Sequence, residues 1–108
     1  MTLNLETIKS AAAAGQITWR YHAVLRFRER GITRGQVKRV LQEGHILEQH
    51  LTDKPFPKCL MMAMIEPDRP LYVSVAYNQT NDYVYIITVH WLDPSKWDDP
   101  WTRKLKRP

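Results

Sequence analysis

The spacing of apolar residues changes at Gly44, and this change restricts the possible folds more than any other feature of the sequence. Before it, apolar residues recur at intervals of three and four, as in amphipathic helices. Thr18 and Thr33 are the predicted N-caps of the second and third helices, and Gln36 completes a capping box with Thr33. The three predicted helices are Leu5–Ala14, Thr18–Gly31 and Thr33–Gly44.

After Gly44 the chain is rich in β-branched and aromatic residues, and its segments are separated by turn residues. The four predicted strands are His45–Leu51, Lys58–Glu66, Leu71–Tyr77 and Tyr83–Trp91. Strands that follow one another through short turns are usually antiparallel neighbours. The predicted fold class is therefore α+β, with N-terminal helices packed on one face of a four-stranded, mainly antiparallel sheet.

The length of 108 residues suits one domain, so we expect a single domain over residues 1–108 that ends in a basic tail at 98–108. Sixteen Lys and Arg residues against eleven Asp and Glu give a formal charge of +5. A positive domain attracts polyanions such as nucleic acid, but the same charge also serves solubility. Charge alone does not decide between these two interpretations.

The one cysteine, Cys59, lies in an apolar run and cannot form an internal disulfide. We expect it to be a small buried hydrophobic residue in a reducing compartment. The N-terminus has no signal-peptide pattern, and no apolar run reaches the roughly 20 residues that a membrane span needs. These features predict a cytoplasmic protein without membrane contact.

His22, Arg26 and Arg30 are spaced four residues apart on the second predicted helix, so they share one face. Guanidinium groups match phosphate geometry, and imidazole exchanges protons near neutral pH. This combination is what phosphodiester cleavage requires. The alternative is a solvated polar helix face on which Glu29 supplies a local ion pair.

Thr88 and His90 lie two residues apart on the last predicted strand and so point to the same side. They interrupt the apolar series that Val84 and Ile86 begin, and a polar pair there needs a partner or a purpose. The alternative is simple exposure at the end of a strand.

No spacing of histidines or carboxylates suits a metal ion, so we expect no metal and no cofactor. Other basic residues are candidates for contacts with a nucleic-acid backbone. They are Arg34, Lys38 and Arg39 on the third predicted helix, and Arg103 and Lys104 in the tail. The tail could equally be a solubilising end.

An ordered series of short motifs resembles the bacterial family of domain of unknown function 4258. The motifs are His22 through Arg26 to Arg30-Gly31-Ile32, Gly44-His45-Ile46-Leu47-Glu48, Pro55 to Leu60, Pro70-Leu71-Tyr72-Val73, and Ile87-Thr88-Val89-His90 followed by Asp93-Pro94 and Trp97. The resemblance covers most of the chain. It implies a relation to the barnase–RelE-like group of metal-independent ribonucleases, many of which are toxins of toxin–antitoxin pairs.

The resemblance places the family's helix histidine and arginines on His22, Arg26 and Arg30, and its last-strand threonine on Thr88. The chain departs from the family where it has His90, since the family usually has Tyr there. A second departure is His50, near a position that is usually aromatic. His90 keeps a proton-transfer group, but with a lower pKa than that of a tyrosine.

These observations predict a metal-independent endoribonuclease, the toxin of a toxin–antitoxin system, that cleaves RNA through attack by the 2′-hydroxyl. His22 and His90 would exchange protons, Arg26 and Arg30 would hold the phosphate, and Thr88 would bind one of its oxygens. The expected partners are RNA, a cognate antitoxin and the ribosome. The rival hypotheses are a module of the same fold that binds RNA or a partner protein without cleavage, and a structural subunit. The enzyme hypothesis predicts that His22, Arg26, Thr88 and His90 line one cleft between the second helix and the last strand.

Overall fold

The computed structural model describes residues 4–66, 69–91, 97–99 and 104–105. The three helices all lie in the first part of the chain, with one short strand between the first and second of them. The other strands follow the third helix. In chain order the elements are α1 (Leu5–Ala13), β1 (Ile17–Thr18), α2 (Tyr21–Glu29), α3 (Arg34–Glu43), β2 (His45–His50), β3 (Lys58–Glu66), β4 (Arg69–Asn78), β5 (Tyr83–Trp91), β6 (Trp97–Asp99) and β7 (Lys104–Leu105).

The third helix begins and ends as the sequence predicts. The Thr33 hydroxyl accepts a hydrogen bond from the Gln36 backbone N–H at 3.1 Å, and the Gln36 side chain accepts one from the Thr33 N–H at 2.9 Å. Gly44 ends the helix at a point of close approach. A Cβ there would lie 2.4 Å from the Val40 carbonyl oxygen and 2.7 Å from that of Met62, so only glycine fits between helix and sheet.

The predicted N-cap of the second helix, Thr18, is wrong. Ile17 and Thr18 form the short strand β1, which pairs in parallel with β5 at Val84 and Tyr85. The helix therefore starts later, with Arg20 as an N-cap whose side chain makes no capping bond. Tertiary pairing has overridden a good local cap signal.

The main sheet has five strands, not the predicted four, in the order β1-β5-β4-β3-β2. Every neighbouring pair is antiparallel except β1 with β5, so the sheet is mixed. A two-residue strand is too short to show any hydrophobic period, which is why the pattern missed it. The bounds of β3 and β5 agree with the predicted strands.

Part of the predicted tail is paired. Strands β6 and β7 form a separate two-stranded antiparallel sheet, with Trp97 opposite Leu105 and Asp99 opposite Lys104. Lys104 thus lies in a strand, whereas Arg103 lies outside the described residues. The role of the tail in binding stays a prediction.

Buried residues of all three helices pack with one face of the sheet in a single core. Its largest fully buried members include Phe27, Ile8, Leu41, Met61 and Ile86. Cys59 is buried in this core as expected, and burial raises the pKa of its thiol to about 12. Leu60, Met62 and Tyr72 form a smaller cluster on the opposite face. None of the described helices combines the length and the apolar character that a membrane span requires.

Candidate functional site

Helix α2 lies beside the edge of β5, beyond the point where β1 ends. Near the start of the helix, the Arg20 guanidinium carbon is 5.6 Å from the centre of the Tyr85 ring. At its end, Arg30 Nη1 donates a hydrogen bond to the Val89 carbonyl, and Trp91 Nε1 donates one to the Arg30 carbonyl at 3.2 Å. These contacts show that α2 and β5 run in the same direction. Beyond the two residues of β5 that pair with β1, the Arg30 side chain reaches the β5 backbone.

Between these contacts, helix and strand leave a cleft of about 250 Å³. Arg26 and Arg30 contribute to its lining from α2, and Thr88 and His90 contribute from β5. The residues that line it are Ala23, Arg26, Arg30, Ile87, Thr88, Val89 and His90. Hereafter these seven residues are called the α2–β5 cleft. None of these described residues carries a carboxylate.

A β-bulge sets the direction of the polar pair in β5. Ser74 of β4 pairs with Thr88, and the next residue, Val75, pairs with Ile86, so Ile87 is an extra residue in β5. Val75 and Ile86 belong to the core under the helices. Thr88 and His90 therefore point to the opposite face from Ile86. The expectation that they continue the face of Val84 and Ile86 is wrong, because the bulge shifts the alternation by one residue.

The structure brings Arg26, Arg30, Thr88 and His90 together, but His22 is not among the lining residues of the cleft. Residues four apart advance about 40° around a helix, because a turn takes about 3.6 residues. Arg30 lies closest to the buried Ala23 side, Arg26 is further round, and His22 is furthest. The stripe is thus slanted, and its first member turns away from β5. His22 is exposed, with its ring 5.7 Å from that of Tyr21.

The two arginines differ in their contacts. Arg30 is anchored by its hydrogen bond to the Val89 carbonyl. Arg26 is exposed and makes no hydrogen bond or ion pair with any residue that the structure describes. Glu29, the predicted local ion-pair partner, likewise forms no ion pair within the described part of the chain. Among the described residues, none therefore competes with an anionic ligand for Arg26.

The strand side of the cleft offers two kinds of polar group. The Thr88 side chain is exposed, so its hydroxyl can donate to a ligand oxygen. His90 is half-buried, and its ring meets the Tyr72 ring edge-on at 5.4 Å and 71°. The contact with the fully buried Tyr72 holds the imidazole at a defined place. The cleft thus combines anion-binding groups with one proton-transfer group.

The basic residues of α3 lie outside the cleft, and two of them have partners of their own. Arg34 lies over the Trp19 ring at 5.4 Å. Arg39 pairs with Glu43 at 3.0 Å and donates to the Ile65 carbonyl at 3.5 Å. Lys38 is exposed. A nucleic-acid role for Arg34, Lys38 and Arg39 stays a prediction. Arg20 was missed, because it does not share the four-residue spacing.

Within the described ranges, no group of three or more His, Cys, Asp or Glu side chains could hold a metal ion.

The family model described as Domain of unknown function (DUF4258) matches residues 19–91. This match runs from the residue before Arg20 to the end of β5 and includes every residue of the α2–β5 cleft. No curated protein matches the chain, and no solved structure does. The relation to the barnase–RelE-like group therefore stays a prediction.

Proposed function

Since the chain belongs to the family described as Domain of unknown function (DUF4258), and since the residues that match this family include the whole α2–β5 cleft, we propose that this cleft binds and cleaves RNA without a metal ion. The observation that carries the proposal is the guanidinium of Arg26, which has no hydrogen-bond or ion-pair partner among the described residues and lines one cleft with Thr88 and His90. A guanidinium beside a hydroxyl donor suits a phosphate, and an adjacent imidazole adds proton transfer.

In the proposed reaction, Arg26 and Arg30 hold the non-bridging oxygens of the scissile phosphate, and the Thr88 hydroxyl donates to one of them. Arg30 is positioned for this by its bond to Val89. The charge that develops on the phosphorane is thereby matched by fixed donors, which is usually the largest catalytic contribution.

His90 is the proton-transfer group inside the cleft. As the 2′-oxygen forms its bond to phosphorus, its proton passes to an imidazole. The bond from phosphorus to the 5′-oxygen breaks, and that oxygen takes up a proton. The products are a 2′,3′-cyclic phosphate and a 5′-hydroxyl, and no electrons are gained or lost. DNA lacks the 2′-hydroxyl and is not cleaved.

A second proton-transfer group completes the reaction, and we place His22 in that role from outside the cleft. It lies one turn before Arg26 and is exposed. This role requires that the ribose next to a phosphate on Arg26 reach that turn of α2. His22 is thus proposed as the complement of His90, although the two do not line the same cavity.

The proposal extends to the cellular setting that the resemblance implies. The chain would be the toxin of a toxin–antitoxin pair, with RNA as substrate, an antitoxin as partner and the ribosome as a possible site of action. Induced expression in bacteria is expected to arrest growth, and Arg26→Ala is expected to remove the arrest. Assays with and without added ribosomes measure whether cleavage depends on them.

The direct test uses the purified protein in EDTA with an end-labelled single-stranded RNA and a DNA of the same sequence. We expect cleavage of the RNA alone, with a cyclic phosphate or 3′-phosphate product. Arg26→Ala is expected to lower kcat/KM by about 10²-fold. Arg28→Ala is the matched control, because Arg28 is an exposed cation on the same helix that lines a different cavity.

The outcomes separate the hypotheses. Equal loss in Arg26→Ala and Arg28→Ala would mean that general charge, not the cleft, is responsible. RNA binding that needs Arg26 without any cleavage would make the protein a binding module. Cleavage of DNA, or dependence of RNA cleavage on a divalent metal, would contradict the mechanism. An absence of both binding and cleavage, with and without ribosomes, would end the RNA proposal.

A further inference from the structure

A second cluster of side chains lies near the start of α2, at one end of the α2–β5 cleft. The Phe56 and Tyr85 rings are stacked, with centroids 5.5 Å apart and planes 22° from parallel. The Arg20 guanidinium lies over the same Tyr85 ring at 5.6 Å. Both rings are half-buried and Arg20 is exposed. We call Phe56, Tyr85 and Arg20 the aromatic patch.

The register of the sheet places the patch in line with the cleft. Along β5, Tyr85 pairs with Ala76, Thr88 with Ser74 and His90 with Tyr72. The partners in β4 are two residues apart, so the three side chains of β5 point to one face at intervals of about 7 Å. Tyr85 therefore lies one step beyond Thr88, on the face that the bulge gives to Thr88 and His90.

The helix adds a matching row of cations. Arg20 lies over Tyr85, Arg26 lines the cleft with Thr88, and Arg30 reaches Val89. Positive groups of α2 and flat or polar groups of β5 thus face one another along a single direction. The step between Tyr85 and Thr88 is comparable to one nucleotide of an extended single strand.

We infer that the aromatic patch holds an unpaired base of single-stranded RNA, next to the phosphate in the α2–β5 cleft. This inference rests on the proposed function, because a base reaches the patch only when RNA lies in the cleft. Aromatic rings and arginine planes bind any base by stacking, which requires the base to be out of a duplex. The substrate class is therefore single-stranded RNA with little preference for base identity at this position.

Phe56 also lines a neighbouring cavity of about 290 Å³, together with Asp53, Lys54 and Asn78. The Asn78 amide donates to the Tyr85 hydroxyl at 3.3 Å, so the Tyr85 ring is held in place from its far end. A fixed ring loses little freedom when a base stacks against the patch.

The test measures RNA binding and does not depend on cleavage. The probes are a short fluorescein-labelled 2′-O-methyl RNA strand, which cannot be cleaved, and a series of the same strand in which each nucleotide in turn is abasic. With the wild-type protein, we expect one abasic position to weaken binding about 5- to 150-fold. With Phe56→Leu, that penalty should largely disappear, because the stacking partner is absent.

Two further variants keep the test informative if Phe56→Leu folds poorly. Tyr85→Phe retains the ring and loses only the bond to Asn78, so its abasic penalty should remain. Arg20→Gln changes an exposed side chain, so it should fold, and it should reduce the penalty in part. Thermal unfolding of each variant confirms that the proteins are folded.

The result that overturns the inference is a wild-type protein that binds the probe with no abasic position weaker than the others, or a penalty that Phe56→Leu leaves unchanged. If Arg26→Ala still weakens binding in that case, the phosphate cleft stands and only the base site is wrong. If the wild-type protein binds neither the probe nor unmodified RNA, the proposed function fails as well.

Discussion

The two halves of β5 have different neighbours and different side chains. From Tyr83 to Ile86 the strand lies between β1 and β4, and both Val84 and Ile86 are fully buried. From Ile87 onward α2 replaces β1 at the free edge, and Thr88 and His90 become accessible. A sheet neighbour fills the edge with backbone hydrogen bonds, whereas a helix beside the edge leaves space for side chains. Both halves contribute to the core, through Val84, Ile86 and Val89, but only the second half also lines the polar cleft.

The largest difference between the halves concerns catalysis and is tested by His90→Ala. Loss of a positioned acid or base is expected to lower kcat for RNA cleavage by about 10²- to 10⁴-fold. Loss of the ring contact with Tyr72 should lower the free energy of unfolding by about 1 kcal/mol. Single-turnover kinetics and chemical denaturation measure the two quantities. His45→Ala, on β2 at the opposite edge of the sheet, is the control. A catalytic loss that merely follows loss of folded protein would erase the distinction.

The reverse pattern is expected for Ile86→Ala in the first half. Ile86 has 0 % exposure, so its truncation leaves a cavity and should lower the free energy of unfolding by about 2–5 kcal/mol. The exposed Thr88→Ala should cost less than about 1 kcal/mol. Urea denaturation of both variants makes the comparison. Similar losses in the two variants would mean that the halves of β5 do not differ in packing.

A residue of β4 opposite the first half of β5 predicts that the stability of the protein falls at alkaline pH. Tyr77, which pairs with Val84, is buried and donates to Asp82. Burial, this hydrogen bond and the Asp82 charge raise the pKa of Tyr77 from 10.0 to about 12. Because the pKa of Tyr77 is higher in the folded than in the unfolded protein, its contribution to the free energy of unfolding is fully present below about pH 10. It is lost as the pH rises towards 12.

Tyr77→Phe separates this effect from others in the same range, since ionisation of Cys59 also opposes folding at high pH. The variant should lose less stability than the wild type between pH 10 and 12. Denaturation midpoints at half-unit intervals provide the measurement. Parallel curves for the two proteins would show that Tyr77 does not cause the dependence.

The smallest expected effect concerns the charge of the second half. If Arg26 contacts one phosphate, Arg26→Ala should reduce the slope of log affinity for single-stranded RNA against log salt by roughly 0.7. Arg28→Ala should leave the slope as in the wild type. Fluorescence anisotropy over a salt series measures both. Equal slopes for all three proteins would remove the electrostatic basis of the cleft.

The sequence predicted features that depend on local patterns. The Thr33–Gln36 capping box and the bounds of β3 and β5 are local, and the structure confirms them. The number of strands was wrong, because β1 exists only through its pairing with β5. A two-residue strand carries no period, so only the tertiary structure reveals it.

The candidate site was predictable in its residue types but not in its geometry. Helical spacing grouped His22 with Arg26 and Arg30, yet spacing does not say where on the stripe the neighbouring strand lies. The slant of the stripe carries His22 away from β5. The bulge at Ile87 was equally hidden, because it depends on how β4 and β5 align. Phe56 and Arg20 were not predicted as site residues, because both are distant from Tyr85 in the sequence and contact its ring only in the folded chain.

The bulge has a consequence at the level of the gene. Deletion of the single codon for Ile87 would remove the extra residue itself, so that Thr88 directly follows Ile86 and still pairs with Ser74. Thr88 and His90 would keep their face, and Val89 would stay in the core. A related chain with a one-residue gap at Ile87 is therefore expected to keep both the hydrophobic pattern of this strand and the polar pair, with a regular strand in place of the bulge.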